Sequence, residues 1–191
     1  MSNSQIFSNL DQLDSALAAC RVVRDFGMAI DADRCFLYVR HHPTRSGLVA
    51  ACWLRDEVAL DLPPHDYEPF DPEPDFLHTS DPMFVAALKG TPATFVTDVR
   101  DAGGDVNAAF EEEFNHRSLI HINLNDDQGL WAILQPAMNH RPRVWSDRDR
   151  ALVDVARHIL TPLVARALRQ GPWIHAPHQQ IGNGEPFAFK L

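Results

Sequence analysis

The sequence predicts an α+β fold, with an antiparallel sheet and helices gathered on one of its faces. Three observations carry this. Helix-patterned stretches open and close the chain, two pairs of β-rich runs lie between them, and a long irregular excursion separates the pairs. With 191 residues, 45% hydrophobic and 23% charged, the composition is that of one globular domain with a sizeable core. Residues 1–9 read as a tail, residues 10–170 as the domain and residues 171–191 as a second tail.

Leu10, Leu13, Leu17, Cys20 and Val23 recur at spacings of three and four, which paints one stripe on a helix over residues 10–30. The β-formers Cys35 to Val39 and the run Leu48 to Leu54 flank His41-His42-Pro43-Thr44-Arg45-Ser46-Gly47, the pattern of two antiparallel strands joined by a turn. From Asp61 to Asp81 the prolines Pro63, Pro64, Pro69, Pro72 and Pro74, followed by Pro82, prevent a ladder of backbone donors and predict irregular chain. Met83 to Leu88 suits a short helix, Ala93 to Val99 a short strand, and Val106 to Asn115 another helix. Ser118 to Leu124 alternates apolar and polar residues, Asp126 to Gly129 turns, and Leu130 to Pro136 returns as a hairpin partner. Ser146 and Asp149 form a helix-capping pair ahead of Leu152, Val155, Ile159 and Leu163, which share one helical face. Pro162 lies inside that helix and predicts a bend or an early stop. The tail shows no periodicity.

Several function classes drop out on composition. A net charge of -9 without a basic cluster does not suit nucleic acid, whose binding needs grouped positive charge. The N-terminus lacks a secretory pattern and no apolar window reaches spanning length, so neither export nor membrane insertion is expected, and the predicted location is cytoplasmic. Three well-separated cysteines, Cys20, Cys35 and Cys52, suit neither a disulfide framework nor a zinc ribbon, and read as small buried hydrophobes. Adjacent His41 and His42 point apart, so no metal site is expected. Glu111-Glu112-Glu113 reads as a solvated helix face, His116 reads as a surface residue, and His116 and His121, five apart, need not share a site. No nucleophile elbow, Walker loop or dinucleotide fingerprint occurs, so no catalytic residue and no enzyme activity are expected.

From about Leu10 to Leu168 the chain resembles a GAF domain, in particular the cyanobacteriochrome and phytochrome branch. Ala32 to Trp53 resembles the first hairpin of such domains, and Gly129 to Ile159 resembles their Leu-Trp-Gly strand, Pro-Arg-x-Trp link and last helix. The third stretch is Asp81 to Gly104. Its Asp81-Pro82-Met83-Phe84 matches the Asp-x-Cys-Phe motif whose cysteine attacks a bilin in one subgroup, with methionine in place of the thiol. Thr97 to Gly103 is similar to the Asp-Ile-Tyr-x-Ala-Gly pattern that follows, yet Val106-Asn107-Ala108-Ala109 offers no anchoring cysteine, and Gln135-Pro136-Ala137-Met138 replaces a histidine-bearing segment. A thioether needs a thiolate, and methionine sulfur already carries two carbons, so covalent bilin binding at these positions is not expected.

The resemblance implies a GAF-like central antiparallel sheet, terminal helices on one face and a lid-like excursion on the other. It implies Met83, Phe84, Phe95, Asp98, Asn107, His116 and Trp131 as pocket candidates, with Met83 and Phe84 either plugging the pocket or lining it. The cysteines that serve methionine sulfoxide reduction in some GAF proteins have no counterpart in this excursion. The terminal helices imply a protein partner, or a homodimer, with Leu152, Val155, Ile159 and Leu163 covering the sheet, forming a seam, or both. Trp173, Ile174, Phe187 and Phe189 are aromatic or apolar tail residues suited to docking on the domain or on a partner. Two readings follow. The chain is a stand-alone regulatory or protein-interaction domain without a cofactor, or a sensor that holds a bilin, another tetrapyrrole or a nucleotide noncovalently.

Overall fold

The computed structural model describes residues 15–55, 71–170 and 179–181. Helix α1 (Ser15–Ala29) leads into β1 (Arg34–His41) and β2 (Ser46–Leu54), and β3 (Asp71–Pro72), α2 (Asp75–Thr79) and α3 (Pro82–Leu88) follow. Then come β4 (Ala93–Val96), α4 (Ala108–Glu113), β5 (Ser118–Asp126), β6 (Gly129–Met138), α5 (Asp147–Gln170) and β7 (Gln179–Ile181). The sheet runs in the order β3-β2-β1-β6-β5-β4, antiparallel throughout, with β7 added parallel to β2. The α+β architecture is therefore the one the sequence predicts.

Side-chain alternation divides the sheet into two working faces. On β1, Cys35, Leu37 and Val39 enter the main core, whereas Phe36 and Tyr38 face the other way. On β5 and β6, Ile120, Ile122, Leu124, Ala132 and Leu134 join that same core, which α1 and α5 cover with Val22, Val23, Phe26, Leu160 and Val164. The opposite face carries His121, Ile133 and Gln135 beneath α3 and α4.

Local chemistry sets the ends of these elements. Asp31 takes a left-handed φ of 55° just past α1, and Arg45 at 50° closes the β1–β2 turn after Pro43. Gly129, at φ 121°, lets the β5–β6 hairpin close in a conformation unfavourable for other residues. Ser146 and Asp149 cap α5 reciprocally: the Asp149 amide donates to Ser146 Oγ at 3.2 Å and the Ser146 amide to Asp149 Oδ2 at 2.8 Å. Arg143 ties this cap to the end of α1, donating to Asp149 Oδ1 and to the Ile30 carbonyl, and lies over the Trp145 ring.

Three expectations change. Helix α5 continues through Pro162 to Gln170, because Leu163, Val164, Ala167 and Leu168 are buried beyond it and their packing outweighs the lost backbone bond. The excursion is less irregular than its prolines suggest, since β3 and α2 lie at its end, and the tail contributes β7. Leu10, Leu13, residues 61–70 and the tail residues Trp173, Ile174, Phe187 and Phe189 lie outside the described residues, as do the side chains of Leu17 and Cys20.

At Gly27 helix α1 packs closely against β1 and β2. A Cβ there would collide with the Trp53 ring and stand 3.0 Å from Cys35 Cβ. Gly27→Ala gains helix propensity of about 1 kcal/mol but overpacks a filled core, which costs about 1–3 kcal/mol. Urea unfolding should show a lower midpoint with an unchanged slope.

Candidate ligand pocket

Met83 and Phe84 do not plug the space between the sheet and the helices of the excursion. Both are buried, and they form part of the wall of a cavity of about 170 Å³. Phe36 and Tyr38 of β1, Val49 of β2, Ile133 and Gln135 of β6 and His121 of β5 make its floor. Phe76, Leu77, Phe110 and Phe114 close it from the helical side. Asp81 stands at its edge as the N-cap of α3, accepting from the Phe84 amide at 2.7 Å, and burial raises its carboxyl above the ordinary range.

Two polar clusters interrupt the apolar lining. In the first, Arg40 Nε donates to Glu73 Oε1 at 2.8 Å and Oε2 at 3.0 Å, and the Tyr38 hydroxyl donates to Oε1 at 3.1 Å. His78 Nε2 approaches Oε2 to 2.8 Å. The Glu73 side chain is fully buried, so this group of partners is what makes its charge tolerable. Gly47 is the neighbour that makes room, because a Cβ there would collide with the Tyr38 phenol.

In the second cluster His116 Nδ1 lies 2.6 Å from Glu111 Oε2, and Gln135 Nε2 donates to the same oxygen at 3.2 Å. A carboxylate only accepts, so Nδ1 carries the proton it shares with Glu111. The imidazole is stacked with Phe36 and with Phe114, at 6.4 and 5.7 Å between ring centroids. Its other nitrogen, Nε2, is buried without a hydrogen-bond partner. Nearby, His121 Nδ1 meets Asn123 Oδ1 at 2.8 Å, and burial lowers its pKa to about 4.

The seven pocket candidates separate cleanly. Met83, Phe84 and His116 line the cavity, while Phe95, Asp98, Asn107 and Trp131 do not. Phe95 turns to the helix face, where Arg150 lies 4.2 Å over its ring, because its strand partner Ile120 belongs to that face. Asp98 pairs with Arg117 at 2.5 Å and caps a short turn through the Arg100 amide. Asn107 caps α4 by accepting from the Phe110 amide at 3.3 Å. Trp131 sits at a bulge and packs on the edge of His42 and under Arg169. Glu111 and His116 correct the surface reading, since both are buried, whereas Glu112 and Glu113 are exposed. Glu73, Asp81, His121 and Gln135 are site residues that sequence reasoning missed.

Cys35 lies in the core, where burial raises its thiol well above the ordinary range, and half-buried Cys52 pairs with Phe36 across the strands without lining the cavity. Among the described residues no group of His, Cys, Asp and Glu is placed to hold a metal ion, and no helix is long and apolar enough to cross a membrane. Along α5, Leu152 and Leu163 are buried in the core and Val155 and Ile159 are half-buried, with Ile159 packed against that core. The outward residues Asp154, His158, Arg166 and Arg169 are polar.

No protein-family model matches the chain, and no curated protein matches it. Solved structures do. A GAF domain of Synechocystis sp. PCC6803 in its photoproduct state aligns with a TM-score of 0.64 at 19% identity, over 82% of this chain and 97% of that one. The chain has the GAF-domain fold. The GAF domain of an Acinetobacter phosphoenolpyruvate-protein phosphotransferase aligns with a TM-score of 0.64 at 13% identity, over 90% of this chain and 99% of its own. The free methionine-R-sulfoxide reductase of Neisseria meningitidis, solved with its substrate, aligns at 0.61 and 15% identity, over 87% of this chain and 88% of its own. A photoproduct-state domain, a phosphotransferase module and a reductase share this fold, so the choice among functions falls to the pocket.

Proposed function

We propose that this chain is a sensory or regulatory domain that holds a small molecule noncovalently in its GAF-type cavity. The observation that carries this reading is the unfilled space of about 170 Å³ beside a buried, unpartnered His116 Nε2. A packed core that had lost its ligand would be expected to close such a space with side chains and to pair the nitrogen. An apolar cavity of ~150 Å³ holds a benzene, so the natural occupant is about one ring in size. A bilin, another tetrapyrrole or a whole nucleotide exceeds that space and would extend beyond it.

A thermal-shift screen with one-ring compounds tests the reading. A binder at a hundred times its Kd adds about 2.7 kcal/mol of stability. The shift should vanish in Ile133→Phe, which fills the cavity from β6. If no one-ring compound moves the wild-type transition, or if Ile133→Phe leaves every shift intact, the pocket is not a ligand site.

A further inference from the structure

The ligand's charge can be read from the groups that meet it. Glu73, Asp81 and Glu111 line the cavity, and no lysine or arginine is among its described lining residues. Arg40 compensates Glu73 from outside the lining, its Nε donating to both carboxylate oxygens. Arg34 lies over the Phe36 and Phe114 rings rather than among the lining residues. His121 meets the neutral amide of Asn123. Asp81 and Glu111 therefore face the space, and among the described lining residues only His116 and His121 are of a type that can carry a positive charge.

The remaining lining has the same preference. Phe36, Tyr38, Phe76, Phe84, Phe110 and Phe114 present aromatic rings, whose faces attract cations. With Nδ1 donating to Glu111, the neutral form of His116 offers a lone pair at Nε2, the buried atom without a partner, to a donor on the ligand. Surplus carboxylate, aromatic walls and an orphan acceptor all favour an N–H-bearing cation and disfavour an anion.

Resting on the ligand-pocket reading above, we infer that the cavity selects a small organic cation: an ammonium or amidinium on a compact apolar or one-ring body. The charged head sits between Glu111, Asp81 and His116 Nε2, and the body occupies the space bounded by Tyr38, Phe84 and Ile133. An α-carboxylate is disfavoured, because it would bring a further negative charge beside Asp81 and Glu111.

Three probes of nearly one shape separate the alternatives by titration calorimetry on the full chain: benzylammonium, benzyl alcohol and benzoate. Benzylammonium should bind at least about tenfold more tightly than benzyl alcohol, about 1.4 kcal/mol, and benzoate should not bind measurably. Glu111→Gln keeps the shape and the hydrogen bonds it can accept while removing the charge, and should erase most of that preference. Asp81→Asn, which retains a helix-capping side chain, serves as the second variant and should narrow the preference in the same direction. Should the alcohol bind as well as the ammonium, or the preference survive in both variants, the charge assignment is wrong while the pocket stands. Binding of none of the three overturns the pocket itself and the inference with it.

Discussion

Glu73→Ala is expected to lower stability by about 3–5 kcal/mol, the usual effect of removing one member of a buried ion pair. The Arg40 side chain is only 9% exposed and that of Glu73 is not exposed at all, so the guanidinium left behind is largely shut off from water. Tyr38 loses the acceptor of its hydroxyl as well. Among the described residues β3 pairs with β2 through Asp71 and Pro72, and the Glu73 amide adds one bond to the Arg45 carbonyl at 2.8 Å. Side-chain anchoring by Arg40 therefore does much to hold this edge of the excursion against the sheet.

Equilibrium urea unfolding of three proteins checks this. Glu73→Ala should show the full loss, and the double variant Arg40→Met with Glu73→Leu should recover most of it, because a packed apolar pair is often neutral or better in place of a buried ionic one. A loss below about 1 kcal/mol in Glu73→Ala would place the pair in the class of solvated bridges and refute the buried network.

Much of this arrangement was legible in the sequence, and the parts that were not have identifiable causes. Alternation in Ser118 to Leu124 gave the two faces of β5, and the Ser146–Asp149 pair marked the start of α5, because both are local signals. Parity fails where the structure inserts a residue. Trp131 faces the helices because a register shift lies between Leu124 and Asn125, and that shift is a property of two strands together. Phe95 is on the helix face because β4 aligns it with Ile120, again a non-local fact. Glu111 was the avoidable error. Consecutive helical residues are about 100° apart, so three glutamates in a row span more than half the circumference and cannot all face solvent on a helix packed against a sheet. Phe110 and Phe114, four apart and in edge contact at 5.2 Å, mark the inward side on which Glu111 falls.

The second large effect is acid sensitivity centred on His121. Asn123 Nδ2 donates to the Thr91 carbonyl at 2.8 Å, which turns Oδ1 toward His121 and makes it an acceptor. The His121 proton therefore sits on Nδ1, and a second one would have to enter at Nε2 of a side chain buried in the sheet. Burial is the dominant influence and lowers the pKa to about 4, although Glu111 and the Asn123 hydrogen bond pull it upward. In the unfolded chain the same imidazole titrates near its ordinary value of 6.5. Between these values the unfolded state binds more protons than the folded one, so stability rises with pH across the window and is lost as pH falls through it. Two and a half units correspond to roughly 3 kcal/mol lost between pH 6.5 and 4, with little further change from this group below pH 4. His42, lowered mainly by burial, adds in the same direction. Asp81, raised by burial, acts oppositely just above 3.8, because its folded form takes up a proton before the unfolded one. His121→Asn removes the titrating group but leaves both of the others, so the slope of unfolding free energy against pH between 6.5 and 4 should flatten markedly even if the variant is less stable at every pH. An unaltered slope in that variant would show that some other group, and not the buried imidazole beneath the ligand cavity, carries the acid response.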